Sequence, residues 1–362
     1  MVTTLDSLKL VYGGKKVFIT GHTGFKGAWL LKIMSMLGAN VKAYALVPEK
    51  EESLFNLING NTLCESIIGD LRDKEKLKSS IVEFEPDFVF HLAAQPLVRL
   101  SYEIPTETFE INAIGTANLL NAIRMIKKPC FVILITTDKV YHNYEWIYPY
   151  RENDRLGGYD PYSASKACTE LVIDSYRNSF FNTSKYNDHE KAIAVGRAGN
   201  VIGGGDWSDD RLIPDIIRAL SNNKKVEIRN PNSIRPWQHV LEPLLGYLIL
   251  GGKLVDQPQY FSQAYNFGPY FTDALPVVDM VKLSIKNWGG GDYIVHQTHD
   301  QPHEAGLLKL DISKATTELN WLPKNDANVA VGNTINWYRT FFNDRQNIIA
   351  FTEQQILDFI DK

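Results

Sequence analysis

The chain has 362 residues, 44% hydrophobic and 22% charged, an ordinary globular composition long enough for one large α/β unit or two domains. A formal net charge of −4 supplies no bulk basic field, so neither nucleic acid nor an anionic membrane is an expected partner. Three scattered cysteines, Cys64, Cys130 and Cys168, argue against a disulfide framework or a zinc ribbon, and no run approaches the roughly 18 apolar residues that cross a bilayer.

The opening MVTTLDSLKLVYGGKKVFIT lacks a secretory pattern, so a soluble, reduced, cytoplasmic protein is expected, with Cys130 and Cys168 as small buried residues. In chain order, KVFIT (16–20), VKAYAL (41–46), SIIG (66–69), DFVFHLA (87–93), FVILIT (131–136) and AIAVGR (192–197) predict strands. Between them, FKGAWLLKIMSML, DKEKLKSSIVEF, TETFEINAIGTANLLNAIRMI and YSASKACTELVIDSYRNSFF carry apolar residues at three- and four-residue spacing, as helices do. Strands apolar on both faces and separated by helices predict an α/β fold: a doubly wound parallel-sheet Rossmann domain over residues 1–198. After 198 the rhythm is lost in NVIGGGDWSDDRLIP and turn-rich joints. A smaller mixed α/β substrate-binding domain is expected over 199–362, with later segments free to return to the first domain.

The first strand runs into Gly21, His22, Thr23, Gly24, Phe25, Lys26 and Gly27 and then an apolar helix. A glycine turn at this place sets backbone N–H groups and the helix dipole against a pyrophosphate, the mark of a dinucleotide site. The second strand ends Ala45-Leu46-Val47-Pro48 without the acid that favours NAD, so NAD and NADP both stay open, with His22 and Lys26 as candidates to meet a 2′-phosphate.

Tyr162 and Lys166 open a helix four residues apart and so share one face. A neighbouring ammonium lowers the phenol's ordinary pKa of about 10, which suits removal of an alcohol proton while hydride leaves for a nicotinamide. Upstream, Asp138 and Lys139 directly follow an apolar strand in T-T-D-K, where charges are costly unless paired or used.

The glycine loop, HLAA at 91–94, TTD and Y-x-x-x-K together resemble the extended short-chain dehydrogenase/reductase family, and TTD ahead of Y-x-x-x-K resembles its nucleotide-sugar 4,6-dehydratases. ITGHTGFKG, TTDKVY, LGGYDPYSASKA, GNVIGGGDW, RPWQHVLEPL and PHEAGLLKLD extend the similarity over about residues 12–340. The resemblance implies NAD as cofactor, CDP-glucose as nucleotide-sugar substrate, and elimination of water after transient oxidation at C4, feeding deoxy and dideoxy sugars of bacterial surface polysaccharide. It implies Thr137, Asp138, Lys139, Tyr162 and Lys166 as the catalytic set, with Asp138 the acid at C6 and Lys139 acting at C5. Many relatives acting on dTDP-glucose carry glutamate where Lys139 stands, so a neutral Lys139 as C5 base and a charged Lys139 stabilising the enolate are both carried forward.

The implied cofactor contacts are the loop from Gly21 to Gly27, Asp70, Leu71, Leu92, Ala93, Ala94, Gln95, Asn112, Thr136, Tyr162 and Lys166. Asn112 reads equally as a buried hydrogen bond that holds the active-site helix. The implied substrate contacts are Asn200, Arg211, Arg235, Tyr265, Asn266 and His303, although Arg211 could instead pair with Asp209 or Asp210. His296, His299 and His303 lack a metal-binding arrangement, and no metal is expected. Broad apolar stripes at 106–126 and on the Tyr162 helix resemble the family's subunit interface and predict a homodimer or homotetramer. A C4 epimerase needs Tyr162 and Lys166 but not Asp138 or Lys139, and a non-catalytic NAD-binding sensor predicts damage to residues that are all present.

Overall fold

A seven-stranded sheet, all of it parallel, forms the centre of the computed structural model, which describes residues 3–270, 273–296 and 307–362 and the backbone alone at 235 and 274. The strands are β1 (Lys16–Thr20), β2 (Asn40–Ala45), β3 (Glu65–Ile68), β4 (Phe88–His91), β5 (Cys130–Thr137), β6 (Lys191–Ala198) and β7 (Ala264–Phe267), in the spatial order β7-β6-β5-β4-β1-β2-β3. All six strands expected from the apolar runs are present. The seventh comes from beyond residue 198 and pairs with β6, Tyr265 opposite Gly196 and Asn266 opposite Arg197.

Side chains alternate between two buried faces. Val17, Ile19, Ile133 and Ile135 pack on helices α1 (Leu5–Tyr12) and α2 (Phe25–Met36), and Phe18, Val132 and Leu134 pack on α3 (Lys74–Phe84), α4 (Gly115–Ile123) and α5 (Pro161–Ser179). The first face is also covered by chain that follows β6: α6 (Leu241–Asp256), α7 (Ala327–Asn343) and α8 (Ile348–Ile360) contribute to the same core. Away from the sheet, the second half makes only short pairings, such as Ile234–Pro236 against Ala274–Pro276 and Val226–Ile228 against Tyr293–Val295.

Two local features shape the catalytic edge. The segment expected as one helix over 106–126 is Pro105–Phe109, a π-helical turn at Glu110–Ile114, then α4. The wider turn fits around Asn112, whose carbonyl accepts hydrogen bonds from Thr116 Oγ1 (2.7 Å) and Thr169 Oγ1 (3.0 Å). Helix α5 starts in a capping box: Asp160 Oδ1 accepts from the Ser163 N–H (2.9 Å), Ser163 Oγ accepts from the Asp160 N–H (3.1 Å), and Pro161 sits where no donor is needed. Cys130 is buried, but Cys64 and Cys168 are only partly buried free thiols, so the expected full burial fails for Cys168. Among the described residues, no helix is long and apolar enough to cross a membrane.

The cap makes a first prediction. Asp160→Ala should lower stability by about 1 kcal/mol, seen as a lower urea midpoint with unchanged denaturant slope.

Candidate active site at the carboxyl edge of the sheet

At the end of β1, Gly21 adopts φ of +79°, and a Cβ there would lie 2.7 Å from the Ala93 nitrogen. A Cβ on Gly27 would overlap the Gly21 carbonyl oxygen, so the turn and the first turn of α2 approach each other as only glycine allows. This cradle, with Gly24 capping α2, fits the pyrophosphate of a dinucleotide. Thr23 Oγ1 donates to the Leu46 carbonyl (2.9 Å) and ties the loop to the end of β2.

His22 and Lys26 do not serve as expected at a 2′-phosphate. His22 is buried, its Nε2 bonded to Ser66 Oγ (2.8 Å) and its ring edge-on to Phe55, and burial pushes its pKa down to about 4, leaving it neutral. Lys26 runs toward the catalytic centre: burial, Arg211 and Lys166 push it down to about 7 against the pull of Asp138, and its Nζ lies 5.7 Å from the centre of the Tyr247 ring. Leu46 and Val47 stand exposed beyond β2 in their place.

Asp70 lies at the end of β3, its carboxylate held by Arg72 Nη2 (2.7 Å) and below its ordinary pKa chiefly through that bond. Leu71 packs against Gly115. Leu92 and Ala93 follow β4, where the Leu92 N–H donates to the Thr20 carbonyl (3.1 Å) and the Ala93 N–H to Thr20 Oγ1 (3.2 Å), with Ala94 next along this edge. Gln95 and Asn112 need a correction, because their side chains are taken by the scaffold. Asn112 accepts from the Gln95 N–H (2.9 Å) and donates to the Gln95 carbonyl (3.1 Å) and Ser165 Oγ (2.8 Å), while Gln95 Nε2 donates to Thr108 Oγ1 (3.0 Å). They brace α5 against the loop after β4.

The strand end and the helix meet as the sequence predicts. Thr136, Thr137 and Asp138 are buried at the end of β5, and Tyr162 and Lys166 are buried at the start of α5. Thr137 Oγ1 donates to Asp138 Oδ1 (2.9 Å) and also bonds Tyr162, while Lys139 Nζ lies 5.9 Å from the centre of the Tyr162 ring. Burial pushes Tyr162 up to about 12; Asp138 adds to this, and the Thr137 bond and Arg211 oppose it. Burial pushes Lys166 down to about 8, opposed by Glu170, and its Nζ donates to the Ile135 carbonyl (3.2 Å). Burial thus disfavours the charged form of both the phenol and the ammonium, and perturbed groups side by side at a strand end mark a candidate site of proton transfer.

On the substrate side, Asn200 follows β6 beside Gly199, whose added Cβ would lie 3.1 Å from Asp138 Oδ2. Arg211 pairs with buried Asp206 (3.4 Å), whereas Asp209 pairs with Lys50 (2.9 Å) and Asp210 with Arg99 (2.8 Å). Tyr265 and Asn266 are corrected. Both are buried in β7, the Tyr265 hydroxyl donating to Glu318 (2.7 Å), and Asn266 accepting from the Tyr141 hydroxyl (2.7 Å) while donating to the Tyr150 carbonyl (2.9 Å). They join the sheet to the segments around it, and both Asn266 amide hydrogens and the Tyr265 hydroxyl hydrogen are spent within the protein. The Arg235 side chain, His299 and His303 lie outside the described residues; His296 is exposed, 4.0 Å from Glu227.

Sequence reasoning missed the residues behind this edge. Glu170 stands one turn beyond Lys166 and forms a bidentate pair with Arg197 of β6, and Ser101 Oγ accepts from the Tyr162 N–H (3.1 Å). The signal available was a charge inside an apolar pattern, Glu170 among helix positions facing the sheet and Arg197 closing AIAVGR.

Residues 18–247 match the family model described as GDP-mannose 4,6 dehydratase. The chain is 49% identical to the CDP-glucose 4,6-dehydratase of Salmonella typhimurium, over 97% of this chain and 98% of that one. It is 27% identical to the CDP-paratose 2-epimerase of Salmonella typhi, over 89% of this chain and 98% of the relative. Among solved structures, DesIV, a dTDP-glucose 4,6-dehydratase from Streptomyces venezuelae with NAD and TYD bound, superposes with a TM-score of 0.77 at 20% identity, covering 90% of this chain and 97% of that one, a likeness of fold.

With His22 neutral and Lys26 turned inward, neither of the two candidate cations is placed to meet a 2′-phosphate. Fluorescence titration should find NADP+ bound at least ~10-fold more weakly than NAD+. Gly27→Ala should weaken both while lowering the melting temperature.

Proposed function

The chain belongs to the GDP-mannose 4,6-dehydratase family, and we propose that it is an NAD-dependent hydro-lyase that converts CDP-D-glucose to CDP-4-dehydro-6-deoxy-D-glucose and water. The cradle from Gly21 to Gly27 would hold NAD+, which would supply a hydride acceptor for C4 of the hexose and a hydride donor for C6. Tyr162 accepts the proton of the C4 hydroxyl; the Thr137 bond and the Arg211 charge favour its phenolate against burial, and the ammonium of Lys166, one turn along the same helix face, adds to them. Thr137 orients the phenol through its hydrogen bond. The C4 ketone acidifies the C5 proton; Lys139 acts there as base or as the cation beside the enolate, and Asp138 protonates the departing C6 hydroxyl. Arg211 and Asn200 contact the sugar nucleotide, the guanidinium toward phosphate.

The observation that carries this reading is Asp138, buried beside Tyr162 and bonded to Thr137. An epimerase needs the tyrosine and the lysine but no acid at C6.

Ile114 and Leu171, 55% and 60% exposed on the two helices flanking this edge, support a homodimer built through them. The net charge of −4 supports an enzyme without nucleic-acid or anionic-membrane partners. Light scattering at micromolar concentration should return a dimer or tetramer, and a monomer would overturn the assembly.

Protein given NAD+ with CDP-, dTDP-, GDP- or UDP-glucose in parallel should release one water from CDP-glucose alone, read by mass spectrometry. Release from another sugar nucleotide would overturn the substrate, and release from none the reaction. Asp138→Asn should slow elimination by roughly 10²–10⁴-fold while C4 oxidation persists, leaving bound NADH visible in near-ultraviolet absorbance. Lys139→Met should suppress exchange of the C5 hydrogen with deuterated solvent.

A further inference from the structure

Tyr162, Lys166 and Glu170 follow one another at four-residue intervals down a single face of α5, and all three are buried. Glu170 is enclosed with Arg197, their side chains 2% and 4% exposed. Arg197 Nε donates to Glu170 Oε1 (2.9 Å) and Nη2 to Oε2 (3.0 Å), while Thr136 Oγ1 donates to Oε1 (2.6 Å). The remaining Arg197 nitrogen, Nη1, donates to the Tyr141 hydroxyl (2.8 Å) and the Glu152 carbonyl (2.9 Å). A pair so enclosed gains little stability over well-packed apolar side chains of the same size. What apolar side chains would not supply is a negative charge one turn from the lysine.

We propose that Glu170 and Arg197 are positioning residues: Arg197 keeps the Glu170 carboxylate ionised, and that carboxylate keeps Lys166 in the ammonium form that Tyr162 requires. Burial alone would raise the Glu170 carboxyl, yet Arg197 and Thr136 hold it below its ordinary range. The groups facing Lys166 from other elements do not replace Glu170. Lys26 of α2 repels it, and His91 of β4 is neutral, pushed down to about 3 by burial and then by Lys166. Asp138 lies at the end of β5 with Thr137 and Tyr162, and the hydrogen-bond partner of the Lys166 ammonium is the uncharged Ile135 carbonyl. Charge order thus runs from β6 through α5 to the phenol.

The inference rests on Tyr162 as the base at C4, and the test separates the two. In Glu170→Gln, Lys166 loses its proton at lower pH. The alkaline limb of the kcat profile should therefore move acid-ward by about one unit, with turnover lost roughly fivefold at pH 8 and hardly at all at pH 6. The carbon-13 NMR titration of the Lys166 side chain, assigned as the signal lost in Lys166→Met, should move to lower pH in the same variant. Glu170→Asp should restore much of both. If Glu170→Gln does not fold with Arg197 left unpaired, Glu170→Gln/Arg197→Met should fold and show the same shifts. A uniform fall in kcat with both titrations unmoved would reduce the pair to a structural tie and overturn the proposal. Absence of dehydration in the unmodified protein would overturn the functional reading alone, because the Lys166 titration does not depend on turnover.

Discussion

Ionisable groups must stay charged at the end of β5, where little water reaches them, and the architecture of the catalytic edge depends on that constraint. Asp138, Tyr162 and Lys166 are each buried; Asp138 acts on Tyr162, and Glu170 acts on Lys166. Burial disfavours the charged form of every one, so opposite charges and hydrogen bonds must be supplied from fixed positions. They arrive from both faces of the sheet: Lys26 from α2 on one side, Glu170 from α5 on the other, Arg197 from the neighbouring strand. Removing one partner of such a pair costs about 3–5 kcal/mol, a large part of a marginal stability of about 5–15 kcal/mol. The geometry of the reacting groups and the stability of the fold are therefore the same property.

The excess of cations has a further effect. Lys26, Lys139, Lys166 and Arg211 lie about Asp138, and Arg211 has Asp206 as its ion-pair partner. A protein with net charge −4 thus keeps a local positive field where an anionic sugar nucleotide must bind.

Much of this was legible in the sequence because local physics sufficed. Apolar runs of strand length, interrupted by helix-period segments, located six strands of the sheet, and Gly21, Gly24 and Gly27 located the cradle after β1. Tyr162 and Lys166 were legible because four-residue spacing needs only a helix. The misses have a common cause: they depend on partners far along the chain. Asn266 looks like a loop residue until Tyr141 and Tyr150 are placed against it, and Lys26 looks like a phosphate ligand until α6 brings Tyr247 beneath it. The π turn at Asn112 arises from contacts with Thr169 and Ser165, more than fifty residues downstream, which no helical periodicity reports.

The seventh strand carries a consequence for how the chain acquires its structure. β6 lies beside β5 on one side and waits for β7 on the other, and the partner is made only after the long excursion from Ala198 to Ala264. A nascent chain that has emerged only as far as residue 198 would present the backbone of an apolar strand, Lys191–Ala198, as an open edge, with Arg197 and Tyr141 not yet joined to Asn266. Such an edge invites pairing with other chains, and the large sequence separation makes its closure slow. Completion of the cofactor half of the molecule is thus a late event in synthesis, tied to the appearance of the half that follows it.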